Sequence, residues 1–415
     1  MQLLIKNATI FDGKTSDRRY DILLSDGVIT EIGTAIAAPP GAEIIQSEQV
    51  CVSPGWLDVG VYAADPGYEH REDLKTAAAA AAAGGFSAFA CFPNTEPALH
   101  TKSEIMYVKS KAAQLPVHCY PIGAVSQNCE GKDLAELFDM HHAGAVAFSD
   151  GKKSVQDAGL LLRALQYAKA FNGLIINIPH HKTIAAGGQM HEGLTSTSLG
   201  LKGLPALAEE LMVQRDLSLL EYAEGRLHIH LISTAKSVAM IRAAKKAGLP
   251  VTSSVAIANL CFTDEQMGAF DSNWKITPPL RLQNDLEALH EGLSDGTIDF
   301  ISSNHTPWHE EAKNLEFPYA EFGMIGLETC FALCCTYLSQ TLKISEIIDK
   351  ICIAPRRVLD IPVPKISIGE RAEITVFDPE ADWVMTDRDI RSKSRNTPFV
   401  GQAFKGKVLR VVGGK

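Results

Sequence analysis

No two cysteines stand in a C-x-x-C arrangement; the nine present are scattered along 415 residues. A disulfide framework or a zinc ribbon needs close, repeated spacing, so buried reduced thiols are expected, with Cys330, Cys334 and Cys335 in one apolar helical stretch. Basic runs are also absent. The 39 Lys and Arg face 49 Asp and Glu, giving a formal net charge of −10. That balance argues against nucleic-acid and anionic-membrane partners, both of which need a cationic face. The alanine run at 77–83 is too short and too weakly apolar to span a bilayer. The opening MQLLIKNATIFDG reads as a strand and a turn, without the charged and apolar regions of a signal peptide, so a cytoplasmic protein is expected. H-E-x-x-H, G-x-S-x-G and Gly-rich phosphate-loop motifs are missing, which removes three ready-made chemistries.

What is present is an ordinary globular composition, 46% hydrophobic, in a chain long enough for one large domain and a smaller one. Short strand-like runs separated by Gly, Asp and Pro fill residues 1–53, and similar runs, RAEITVFDP and FKGKVLRVVGG, fill 367–415. The two ends are expected to pair into one small β-sandwich domain. Between them, residues 54–366 alternate apolar strands (GFSAFACF, LIINIP, RLHIHLIS, IDFISSN) with helical segments such as DAGLLLRALQYAKAF. Repeated β-then-α units predict a parallel sheet, and the span suits an α/β barrel of the (β/α)8 TIM type, whose active site sits where strands end and loops begin.

The segments DPGYEHREDL, GGFSAFACFPNTEP (84–97), AFSDG (147–151), GGQMHEG, TPPLR, DGTIDFISSNHTP and EFGMIGLET resemble, in order and spacing, the dihydroorotase family of the amidohydrolase superfamily. The resemblance covers nearly the whole chain. It implies a barrel carrying a composite sandwich from both termini, and reversible closure of carbamoyl aspartate to dihydroorotate in pyrimidine synthesis. An amide resists water, so the family uses zinc to supply hydroxide near neutral pH, with an aspartate moving the proton.

Residue by residue, the carry-over meets substitutions. The two first-strand histidines of the family's Asp-x-His-x-His fall on Gly60 and Tyr62, and two further histidines fall on Ile178 and Leu231. The catalytic aspartate falls on Asn304, and the metal-bridging carboxylate is retained as Asp150. Among substrate contacts Asn94 is kept, whereas Ala64, Thr277 and Trp308 stand where the family has Arg, Asn and His. Zinc needs three or more protein ligands, so no metal site, no catalytic residue and no cofactor are expected at these positions.

Other histidines lie near the altered slots. His228 and His230 flank Leu231, and strand alternation is expected to pack both behind the barrel. His180 and His181 fall in a loop expected to face solvent, though His180 could turn toward the barrel mouth. His305 is expected to support its strand end, and His309, with Glu310 and Glu311, to form a solvated surface. Three functional expectations follow. The first is a non-catalytic structural or regulatory subunit, by analogy a partner of aspartate transcarbamoylase, and itself a homo-oligomer. The alternative is an active dihydroorotase or other cyclic amidohydrolase with a relocated metal site built around His180, Asp150 or His305, taking zinc as its cofactor. A third, a sensor using the old cavity, competes with simple filling of that space by Tyr62, Ile178, Leu231 and Trp308.

Overall fold

The computed structural model describes residues 2–13 and 18–413. Eight parallel stretches form the central barrel: Trp56–Val61, Phe86–Cys91, His118–Pro121, 147–149, Leu174–Asn177, Arg226–Ile229, Val251–Ala256 and Phe300–Ser302. The fourth is only a bridge, in which Phe148 pairs with Gly123 on one side and Ile175 on the other. Between the last strand and the first, side chains take over from the ladder. Ser302 Oγ donates to the Val59 carbonyl at 2.9 Å, and the Ser303 N–H donates to Asp58 at 2.9 Å.

Alternation along the strands sorts the core into two shells. Leu57, Val59, Ala88, Ala90, Ile176 and Phe300 fill the barrel interior, while Trp56, Phe89, Ile175, Leu227 and Ile229 pack under the helices. Helices begin where the sequence supplies caps. Asp73 and Thr76 form a reciprocal capping box before Leu74–Ala83, and Thr101 and Glu104 do so before Lys102–Ala112.

The two chain ends build one seven-stranded sheet. Ala403–Val412 pairs with Ile374–Val384, which pairs with Cys51–Pro54; then follow Gln2–Ile10, Arg19–Ser25 and Val28–Gly33, with Glu43–Ile45 also on Gln2–Ile10. Gly55 alone separates the sheet strand Cys51–Pro54 from the first barrel strand. A Cβ there would lie 2.0 Å from Ser87 Oγ, so only glycine lets the chain cross at this point. The buried Arg356 guanidinium fixes the joint, donating to the Gly55 carbonyl at 2.9 Å and to Glu373 at 2.6 Å.

Candidate active site

At the C-terminal mouth of the barrel the altered slots come together. Gly60, next to last in the first strand, has φ +89°, and a Cβ built on it would meet His230 Nε2 at 2.5 Å and the Phe92 ring at 2.7 Å. The space where the family holds a histidine is therefore taken by an imidazole from another strand and by a phenyl ring. Tyr62, two residues on, packs on Phe92 with centroids 5.2 Å apart and carries the Lys152 ammonium 4.6 Å above its ring. Burial of its hydroxyl pushes that phenol well above its usual range. Ile178, Leu231 and Thr277 line a residual cavity of about 10 Å³, room for at most one water.

His228 and His230 lie inside the barrel, not behind it. Their neighbours Leu227 and Ile229 face the helices, so alternation turns both imidazoles inward. His228 stacks on Phe300 at 4.8 Å, and His230 meets Phe92 edge-on at 5.4 Å. The expectation failed because Leu231 has φ +60° and has already left the strand, so its direction is no guide to its neighbours. A hydrogen-bonded chain links the two rings. Thr252 Oγ1 is 2.9 Å from His228 Nδ1, and Ser254 Oγ is 3.0 Å from His228 Nε2 and 2.7 Å from His230 Nδ1. His230 Nε2 is left buried without a partner.

Asp150 does not face these groups. Its carboxylate accepts the Val125 and Ser126 N–H groups at 2.9 Å each, and the Ser126 hydroxyl at 2.5 Å. Burial raises its pKa while these donors lower it. Asn94 is similarly occupied, donating to the Asp150 carbonyl at 2.9 Å. Asn304, at φ +52°, donates to the Thr277 carbonyl at 3.1 Å, and its Oδ1 is buried without a partner. His305 accepts the Gly326 N–H at Nδ1, 3.2 Å away, and turns Nε2 toward Glu72 at 3.5 Å. Trp308 donates to the Phe322 carbonyl at 2.9 Å and lies under the Arg71 guanidinium at 4.0 Å.

The loop histidines split. Both His180 and His181 are half-buried rather than exposed, and His180 lines the small pocket beside Ile178 and Leu231 as well as a larger cavity next to it. Burial, aided by Arg281 and His181, lowers the His180 pKa, so its imidazole is neutral at pH 7. His309 is half-buried too, its ring 5.0 Å from His70, while Glu310 and Glu311 are exposed.

Sequence reasoning passed over the group that holds this mouth together. Arg281, the last residue of TPPLR, is buried; it donates to Ser233 Oγ at 3.0 Å and to the Leu204 carbonyl at 3.2 Å, and sits 3.1 Å from His191 Nδ1. Glu209 lies 3.6 Å from the guanidinium and accepts the N–H groups of Ser233 and Thr234 at 2.8 and 3.1 Å. These bonds pin the turn that carries Leu231. Glu209→Gln, which leaves a buried N–H donor unmatched, is expected to cost about 1–3 kcal/mol in urea unfolding. A change within error would show that the turn holds itself.

A scan against family models matches residues 49–237 to the dihydro-orotase-like family. A protein named dihydroorotase from Pelotomaculum thermopropionicum is 43% identical over 100% of this chain and 98% of its own length. One from Acetivibrio thermocellus is 42% identical over 98% and 96%. The chain belongs to the dihydroorotase family. In fold it is similar to the L-hydantoinase (dihydropyrimidinase) of Arthrobacter aurescens, with a TM-score of 0.85 at 24% identity over 99% of this chain and 96% of that one. The α/β barrel expected from the sequence is thereby established.

Two expectations are corrected by these relatives. A non-catalytic regulatory subunit is contradicted by curated full-length relatives named dihydroorotase at 37–43% identity. The expectation of no cofactor falls with it, since that activity belongs to a family whose chemistry rests on zinc. The donors present are another matter. Among the described residues no three His, Cys, Asp or Glu side chains converge closely enough to hold a metal ion. The donors on these side chains do not gather as a zinc site requires. No described helix is long and apolar enough to cross a membrane.

Proposed function

We propose that this protein catalyses the dihydroorotase reaction of pyrimidine synthesis, or opens a closely related cyclic amide, in the cytoplasm. The observation that carries the proposal is the full-length similarity to proteins named dihydroorotase, which spans the barrel and both halves of the terminal sheet. Relocated groups at the barrel mouth, not the family's slots, would handle the proton.

Among the three candidates His180 is favoured on geometry. Asp150 has committed its oxygens to backbone and hydroxyl donors, and His305 is fully buried against Glu72 and the Gly326 N–H. His180 instead stands between an open cavity and the pocket at Ile178 and Leu231. A neutral imidazole there can accept a proton from the attacking group and return it to the leaving nitrogen. The assay is dihydroorotate hydrolysis and its reverse, with and without added zinc. Turnover well above buffer is expected, and His180→Asn is expected to lower kcat by roughly 100-fold with thermal unfolding unchanged. No turnover by wild-type protein under either condition would sink the proposal.

A further inference from the structure

After the last barrel strand the chain leaves the mouth at Thr306 and returns at Met324. The two ends are tied together. The Thr306 N–H donates to the Met324 carbonyl at 2.8 Å, and Asn396 Nδ2 donates to the Thr306 and Gly323 carbonyls at 3.0 Å each. Residues 307–323 between them run as one excursion with its ends close, the form of a compact surface loop. Of its apolar side chains Phe317 is buried, whereas Leu315 and Tyr319 are exposed, so apolar burial holds it only in part.

Its other ties differ from those of the neighbouring loops. There carboxylates accept N–H groups: Asp150 takes those of Val125 and Ser126, and Glu209 those of Ser233 and Thr234. Here buried ammonium groups donate to main-chain carbonyls. Lys313, 6% exposed, donates to Ser272, Glu321 and Gly323 at 2.5, 2.8 and 3.0 Å. Lys275, 2% exposed, donates to Phe317 and Pro318 at 2.8 and 3.1 Å. Among the described residues neither ammonium forms an ion pair. Asp271 and Glu321 attract Lys313 from further off, while Lys275 and Lys152 oppose it. Across the adjoining cavity stand His70, His309, Glu310, Lys393 and Arg395. A cation that leaves water for carbonyl dipoles alone pays for its desolvation, so closing this segment is costly and opening it is cheap.

We propose that residues 307–323 form a strap at the rim of the barrel mouth that opens as a unit while the barrel stays folded, with Lys313 and Lys275 as its latch. Its root carries Trp308, in a slot where the family contacts substrate, and opening draws that ring away from the Arg71 guanidinium stacked on it. Protons are linked to the movement. Burial lowers Lys313 to about 7 and Lys275 to about 8, whereas a lysine released into water titrates at about 10.4. Above pH 7 the open strap therefore holds protons that the closed one has shed, and closure tightens as pH rises. None of this depends on the reaction proposed above, so a protein without turnover tests it equally well.

Hydrogen–deuterium exchange of the full chain at pH 7 and pH 9, corrected for the intrinsic pH dependence of exchange, is the test. In the wild type, protection of 307–323 is expected to rise more than tenfold between the two, with exchange faster there than in the barrel strands Leu174–Asn177 and Arg226–Ile229. Lys313→Met keeps the buried stem and removes the ammonium. It is expected to speed exchange of the strap by about 10- to 100-fold, to flatten its pH dependence and to leave the two barrel strands as they are. Equal protection of strap and barrel, equal pH dependence in wild type and variant, or a variant that loosens strap and barrel together overturns the proposal.

Discussion

Gly60→His is expected to unfold the barrel mouth rather than restore a metal ligand. The position has φ +89°, where an L-residue is strained by roughly 1–2 kcal/mol. A Cβ there would stand 2.5 Å from His230 Nε2 and 2.7 Å from Phe92, and neither ring is the loose end of a flexible chain. Forcing atoms into such a packed interior costs a further 1–3 kcal/mol or so. Even Gly60→Ala should therefore lose about 2–5 kcal/mol, a large share of a stability of about 5–15 kcal/mol, and the imidazole of Gly60→His should lose more. Urea unfolding measures it. Adding His230→Ala removes the nearest obstacle, so the Gly60→Ala, His230→Ala pair should be more stable than the sum of its single changes. Gly60→Ala within about 1 kcal/mol of wild type would show that the interior gives way easily. Returning this chain to the family's metal arrangement thus requires emptying the space that His230 and Phe92 fill, as well as replacing the missing ligands.

Acid should destabilise this protein through the same pair of rings. Burial lowers the His228 pKa well below its usual value, with His230 adding to the effect, and burial brings His230 down to about 3. In the unfolded chain both titrate near 6.5. Below that pH the unfolded state takes up protons that the folded state refuses, so folding stability falls as pH falls. Stability from this pair is complete above about pH 7, and His230's share drains away between 6.5 and about 3. His230 contributes about 2 kcal/mol of loss between pH 7 and 5, and His228 adds a loss of the same sign. Urea midpoints at the two pH values give the slope, and His228→Phe should reduce it. Equal slopes in wild type and variant would mean that other groups control acid unfolding.

Part of the barrel mouth was legible in the sequence, because the motifs that resemble the family bracket residues that the fold brings to the strand ends. Ile178, Leu231 and Thr277 do meet at the strand ends, and Tyr62 packs on Phe92. Reading their substitution as loss of function was the step that full-length relatives named dihydroorotase overturned. A slot records what has left it, and says nothing about groups that arrive from elsewhere in the chain.

The sequence by itself determined the alternation of strands and helices between the two β-rich ends and the family. These depend on spacing along the chain, on side-chain period and on local hydrogen bonds, which a few neighbouring residues specify. Only the tertiary structure decided that His228 and His230 turn inward, since Leu231, in the left-handed region, has left the strand and does not mark its opposite face. It alone showed that Asp150 is absorbed by the backbone of Val125 and Ser126, and that Lys152 and Lys182 share a cavity. Residues 30 positions apart acquire a common field only when the barrel closes, because charge and volume act through space and not along the chain.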